Sequence, residues 1–381
     1  MEAADAAPLT DFKPQPGSLL PPSHAFPRHA PQGQRFFLPP RVTRHTMHDP
    51  FRLTGPTCLS FSGGSTSGYM LWRTLQSNTV ADLKRWLRVA FANTGLEHPK
   101  TLKFVDDTDL HWLRPLGLAI DWVEFRDDEA GHAVVTYETA SREGEPFLAL
   151  VKKRNYLPNP ITRFCTSELK IRAMHKRLRA LGWCDENAEW DQFIGIRADE
   201  PRRVAKIRAR GTSTETSKET MCMPLADAGV GVAAVDDFWA KQPFQLELPR
   251  HKGRTLAGNC VLCFLKPRKQ VESLMASDPS YAVVWIKMEN DTVKTIKPNL
   301  VETGFFDADG EPLLKEVIGL GARFRKDWPT YEQMLHSVLA QADAFGHEPV
   351  LVHTGLVDAG GADILRSAQH DEEGIACFCG D

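Results

Sequence analysis

The chain has 381 residues, 42% hydrophobic and 25% charged, with 49 acidic against 46 basic side chains and a formal net charge of −3. Such a composition suits a soluble, core-forming protein of two domains, or one large domain with extensions, and argues against a globally basic nucleic-acid or membrane binder. There is no run of about 18 apolar residues and no apolar signal-peptide core, and eight cysteines are too few for a disulfide scaffold, so the sequence predicts a protein of the reducing cytoplasm, away from the membrane.

Residues 1–50 are rich in proline and alanine (Pro14-Gln15-Pro16-Gly17, Pro21-Pro22) and predict a disordered extension, with Met47 as the point after which a shorter chain would suffice. An α/β domain is expected over 51–235. It opens on Thr57-Cys58-Leu59-Ser60-Phe61, a buried strand that breaks into Ser62-Gly63-Gly64-Ser65-Thr66-Ser67 and resumes as a helix through Tyr69, Met70 and Leu75. Glycines, hydroxyls and a helix start at one strand end make a phosphate cradle. Neither the Walker spacing nor the dinucleotide fingerprint is present. A second strand is read at Leu87–Ala92, ending in Asn93-Thr94-Gly95, then helix over His98–Leu113 and a third strand at Leu118–Phe125. A polar stretch with His132, Arg142 and Glu143 between Gly131 and Gly144 reads as a lid. Helix follows over Glu168–Leu181, then a strand at Gln192–Ile196 whose end carries Gly195–Glu200. Such alternation predicts a parallel sheet with helices on both faces and ligands beyond the carboxyl ends of its strands. Residues 236–340 are aromatic-rich and predict a smaller, mostly helical domain holding Cys260-Val-Leu-Cys263, with a short strand at Tyr281–Ile286. Residues 341–381 read as an acidic tail ending in Cys377-Phe-Cys379, either incidental thiols or a thiol shuttle.

The loop Ser62–Ser67 resembles the PP-loop of the adenine-nucleotide alpha-hydrolase superfamily. Phe91–Leu102 and Phe164-Cys165-Thr166-Ser167-Glu168-Leu169-Lys170-Ile171 are similar to segments of phosphoadenosine phosphosulfate (PAPS) reductase-like proteins, and the resemblance spans about residues 55–270. It implies a Rossmann-like fold that binds ATP or an adenylyl sulfate, with Mg²⁺ as a possible companion. Two reactions follow from it. In one, an adenylyl sulfate is reduced with a sulfur or thiol donor such as thioredoxin. In the other, ATP adenylates an acceptor such as a nucleobase, RNA or DNA, which is then thiolated. Ser62, Gly63, Gly64, Ser65, Thr66, Ser67, Asn93, Thr94, Gly95, Arg163, Lys170 and Arg197 are the expected nucleotide contacts, and Cys165 and Asp199 the expected catalytic groups. Ser65 and Thr66 stand where common PP-loops carry Lys and Asp. Either Lys or Arg then comes from elsewhere or the ligand is less charged than ATP, and a third reading is a degenerate nucleotide-binding or regulatory module without catalysis. Cations are at hand, since residues 151–210 hold 15 Lys and Arg against 7 Asp and Glu.

Cys260 and Cys263 offer two soft ligands on one turn, fit for Fe–S, for zinc or for a redox dithiol. Adding Cys165 gives the three ligands of a [4Fe–4S] cluster with one open iron, an arrangement the resemblance supports, and Cys222 would close the site as a fourth. Cys58 and Cys184 read as ordinary buried thiols. Asp199 and Glu200 can hold Mg²⁺ or orient a substrate hydroxyl, and can also cap the helix that begins at Pro201, roles that are compatible.

Overall fold

The computed structural model describes residues 49–183, 188–251, 254–292, 299–306, 312–317 and 322–345. Every described residue belongs to one compact unit. The extension, Cys184, and the tail with Cys377 and Cys379 lie outside the described residues.

Six strands form the main sheet: β1 (Thr57–Ser60), β2 (Leu87–Asn93), β3 (Ile120–Phe125), β4 (His132–Val135), β5 (Trp190–Phe193) and β6 (Glu219–Cys222), in the spatial order β4-β3-β2-β1-β5-β6. All neighbours run parallel except β4, which pairs antiparallel with β3. The helices are α1 (Ser65–Ser77), α2 (Val80–Trp86), α3 (Pro99–Thr108), α4 (Glu145–Arg154), α5 (Ala173–Ala180), α6 (Pro201–Arg210), α7 (Pro224–Asp227), α8 (Val232–Trp239), α9 (Arg268–Ser277), α10 (Ala282–Asp291) and α11 (Tyr331–Phe345). Two π-helical segments, Asp109–Leu113 and Thr166–Arg172, run on from α3 and into α5.

Side-chain alternation along the strands sends residues to both faces of the sheet. Leu59, Val89 and Phe91 join the main core with Met70, Leu71, Phe104 and Val105 of α1 and α3. Cys58, Ala90 and Ala92 meet Met174 and Leu178 of α5 in a second cluster. Cys58 is thus the buried thiol its apolar context predicts. The sheet is an α/β core covered on both faces, and none of the described helices is long and apolar enough to cross a membrane.

Chain order reverses between β1 and β5. From β1 the chain moves outward through β2 and β3, and the strand on the other side of β1 is β5. The loops leaving β1 and β5 therefore flank a topological switch point, where ligands enter open α/β sheets.

Two segments depart from the sequence expectation. Tyr281–Ile286 is not a strand: Ala282 begins helix α10, with Ala282, Trp285 and Met288 buried at a spacing of three and Val283 61% exposed. A short apolar run with β-branched residues fits both states, and only the continuation through Lys287–Asp291 separates them. The segment read as a lid holds β4, an edge strand with His132 opposite Phe125. There Arg142 donates to Ala140 O (2.7 Å) and Tyr137 O (2.6 Å).

Candidate functional site at the sheet switch point

Between β1 and α1 the chain turns at Gly63, where φ is +75° and a Cβ would stand 2.7 Å from Thr101 Cγ2 and 3.1 Å from Val105 Cγ2. Only glycine accepts both that backbone and that contact. Gly64 O accepts the first helical bond, from Gly68 N (3.0 Å), so the N–H groups of Ser65, Thr66 and Ser67 precede the intrahelical ladder. Ser67 Oγ gives its proton to Gly64 O (3.0 Å) and accepts from Ser62 N (3.2 Å), with Ser62 Oγ 3.0 Å away. The loop closes on itself around the start of a 13-residue helix, whose positive dipole end favours an anion.

The β5 loop comes to the same place. A Cβ on Gly195 would lie 3.3 Å from Ser67 Cα, so β5 and α1 approach closely. Arg197, whose side chain is only 11% exposed, donates from Nη1 to Thr66 Oγ1 (2.9 Å) and from Nε to Asp199 Oδ1 (2.9 Å). The other Asp199 oxygen accepts from Val232 N (2.8 Å) at the first turn of α8. Seven residues on, Trp239 Nε1 donates to Ser65 O (2.7 Å). A closed circuit results: α1, Arg197, Asp199, α8, Trp239 and α1 again. Asp199, which the sequence suggested as a catalytic group, holds Arg197 and caps α8. Glu200 sits at the cap position before Pro201 without a side-chain capping bond; its carboxylate accepts from Arg197 N (3.1 Å) and pairs with Arg203.

Beyond β2, Asn93 is fully buried and uses Nδ2 on Glu124 Oε1 (2.7 Å) and Ser141 O (2.9 Å), while Oδ1 accepts from Gly95 N (3.1 Å). It shapes the loop instead of reaching outward. Gly95, at φ +78°, touches Gly144, whose N–H donates to Gly95 O (2.9 Å). Thr94 bonds Glu97 twice over, from N (2.9 Å) and from Oγ1 (2.9 and 3.0 Å). The same Thr94 Oγ1 lies 3.3 Å from Cys260 Sγ.

Cys260 begins a tight turn docked on this loop. Cys263 N donates to Cys260 O (3.1 Å), and Val261 N donates to Leu96 O (2.9 Å). Lys266 Nζ gathers the carbonyls of Gly258 (2.5 Å), Cys260 (3.0 Å) and Val261 (3.1 Å), and Tyr331 Oη donates to Leu262 O (2.7 Å). Burial first, and the Glu97 charge second, push the Cys260 thiol well above its ordinary range, with Lys170 pulling the other way.

No protein-family model matches the chain. Over 223 residues it is 31% identical to the nin region protein ORF290 of Escherichia phage lambda, itself uncharacterized, covering 56% of this chain and 67% of the phage protein. The chain belongs to the ORF290 family.

The other expected site residues of this ORF290-family chain are scattered more widely. Cys165 is partly buried just before the π-helical segment that carries Lys170. Arg163, two residues earlier, keeps Nε and Nη1 buried with no hydrogen-bond partner. Cys222 ends β6 with its thiol toward Thr220 O (3.8 Å), three strands from β2, a lateral offset of about 14 Å at the usual strand spacing. It stands apart from the Cys260 turn. Among the described residues, no three His, Cys, Asp or Glu side chains are grouped so as to hold a metal ion. Much of the basic excess is consumed in ion pairs: Lys153 with Asp127, Arg154 with Glu168, Arg172 with Glu215 and Arg177 with Asp121. Sequence reasoning missed Lys266, although a lysine three residues past Cys263 is where a turn's carbonyls look for a cation.

Proposed function

We propose that the chain is a PP-loop protein of the PAPS reductase-like group, binding an adenine nucleotide over Ser62–Ser67 and acting on an adenylyl-linked sulfur or acceptor. The observation that carries this reading is the Arg197–Thr66 hydrogen bond across the switch point. The family's loop lysine is replaced by Ser65, and Arg197 supplies a guanidinium to the same helical turn from the opposite strand end. Phosphate or sulfate oxygens suit its fork, the N–H groups of Ser65, Thr66 and Ser67, and the loop hydroxyls. Asp199 and Glu200 carry charge that Arg197 and Arg203 balance, so the crevice is not left acidic.

Binding orients the nucleotide; the two reactions differ in what leaves. Adenylation of an acceptor releases pyrophosphate, and reduction of an adenylyl sulfate releases AMP and sulfite at the expense of a thiol donor. The test is calorimetric titration of the full chain with ATP and with adenosine phosphosulfate, followed by assays for pyrophosphate and for sulfite. Binding of either nucleotide, weakened in Arg197→Met, is the expected result. Binding without turnover under any sulfur source identifies a nucleotide-binding module, and no binding of either ligand overturns the reading.

A further inference from the structure

The Cys260 turn has features that a nucleotide loop does not call for. Its two thiols differ: Cys260 is 8% exposed and Cys263 is partly open. A backbone bond from residue i+3 to residue i brings the two Cα atoms within about 7 Å, the upper limit of what a disulfide bridges. The turn is also held from behind, by Lys266 on three carbonyls and by Tyr331 on the fourth, so its shape is set before any ligand arrives. Finally, the buried thiol is wired to a carboxylate. Thr94 Oγ1 has one proton, which lies between it and the two Glu97 oxygens at 2.9 and 3.0 Å. The 3.3 Å contact to Cys260 must then be donated by the thiol. Around Cys260 stand Glu97 and Thr94 from the β2 loop, Lys170 from the π-helical segment, and Cys263 from its own turn.

We infer that Cys260 and Cys263 form a redox-active dithiol for disulfide-type substrates, with Glu97 receiving the Cys260 proton through Thr94 Oγ1. The open Cys263 thiolate attacks one sulfur of a disulfide R–S–S–R, forming Cys263–S–S–R and expelling the first thiolate, which takes up the proton Cys263 lost. Cys260 then attacks Cys263 Sγ. Its proton passes to Thr94 as the Thr94 proton passes to Glu97, and the second thiolate departs and is protonated from solvent. Two thiols are oxidised to one disulfide and R–S–S–R is reduced to two R–SH. In the reverse direction a dithiol donor reopens the bridge and Glu97 returns the proton. Thr94 and Glu97 are positioning and proton-accepting groups here, and the step needs no bound nucleotide, so it stands or falls apart from the reading above.

The test uses the full chain purified without oxygen, assayed for iron, zinc and sulfide, then exposed to oxidised glutathione and digested with trypsin. Peptide 255–268 carries both cysteines, because Lys266 precedes a proline. Its expected product is the intramolecular bridge, two hydrogens lighter, while Cys260→Ser accumulates the glutathione adduct at Cys263. Glu97→Gln and Thr94→Val should slow resolution of that adduct about a hundredfold, as loss of a positioned base does. Thr94→Ser, which keeps the hydroxyl, should restore it. Initial adduct formation at Cys263 should be unchanged in all three, which separates a relay defect from misfolding. Stoichiometric iron with sulfide, or zinc, held by the two thiols would overturn the inference, as would adducts that never resolve in the unmodified chain or equal resolution rates in Glu97→Gln.

Discussion

Glu289 offers a quantitative test of how the C-terminal helices are held. Its side chain lies on α10 at 3% exposure and accepts from Tyr331 N (2.7 Å) and Phe324 N (3.4 Å). Burial pushes its carboxyl up from 4.5 to about 7, against the pull of those two N–H groups and of Arg323. The sign follows from proton counting. Between pH 4.5 and 7 the native state holds a proton that the unfolded chain has lost, so raising the pH through that window destabilises the fold. At about 1.4 kcal/mol per pH unit the loss accumulates to about 3 kcal/mol by pH 7 and then stops growing. Glu289→Gln stays neutral throughout and keeps an oxygen for Tyr331 N–H. Urea unfolding of both chains by tryptophan fluorescence, from pH 4.5 to 8, should show the wild type losing about 3 kcal/mol relative to the glutamine variant and then running parallel to it. Parallel curves across the whole range, or a wild type that gains on the variant as pH rises, would refute the reasoning. All other titrating groups are common to both chains and cancel in the difference.

Arg197→Met removes a charge-assisted bond from Thr66 and strips cover from Asp199 and Glu200. At about 1.5–3 kcal/mol for such a bond, nucleotide affinity should fall about 10- to 150-fold by calorimetry, and unchanged affinity would remove Arg197 from the site. Gly63→Ala meets two obstacles, a positive φ costing about 1–2 kcal/mol and a methyl group 2.7 Å from Thr101 Cγ2. Adding Thr101→Ser, which deletes that Cγ2, should recover the steric share of the lost stability but not the backbone share; no recovery in thermal unfolding would show that the contact is not limiting. Cys222→Ser should leave bridge formation in peptide 255–268 unchanged, because Cys222 sits three strands away; a slowed bridge would mean that the two sites communicate.

The sequence located most of the sheet because its central strands are short apolar runs stopped by glycine or polar residues: Thr57–Ser60, Leu87–Asn93, Ile120–Phe125 and the strand before Gly195. The switch-point loop was legible for the same reason, and Arg197 and Thr66 were both expected at the nucleotide though 131 residues apart. β6 escaped notice because Glu219-Thr-Met-Cys222 alternates over only four residues, two of them polar. Asp199 was expected to cap the helix next to it or to hold Mg²⁺, whereas its partner is the helix 33 residues on. That pairing follows from the crossover to β6 and back, which local spacing does not encode. The link from Thr94 to Cys260 spans 166 residues and was invisible for the same reason.

That distance also orders events in time. During synthesis Thr94, Gly95 and Glu97 leave the ribosome long before Cys260 exists, and Tyr331, which steadies the turn from behind, comes 69 residues later than its partner Leu262. Closing such long loops is entropically slow compared with forming β1, α1 and β2. The thiol pair is therefore expected to find its seat after β1, α1 and β2 have formed. Pulsed thiol alkylation during refolding should find Cys58, inside the sheet, protected well before Cys260.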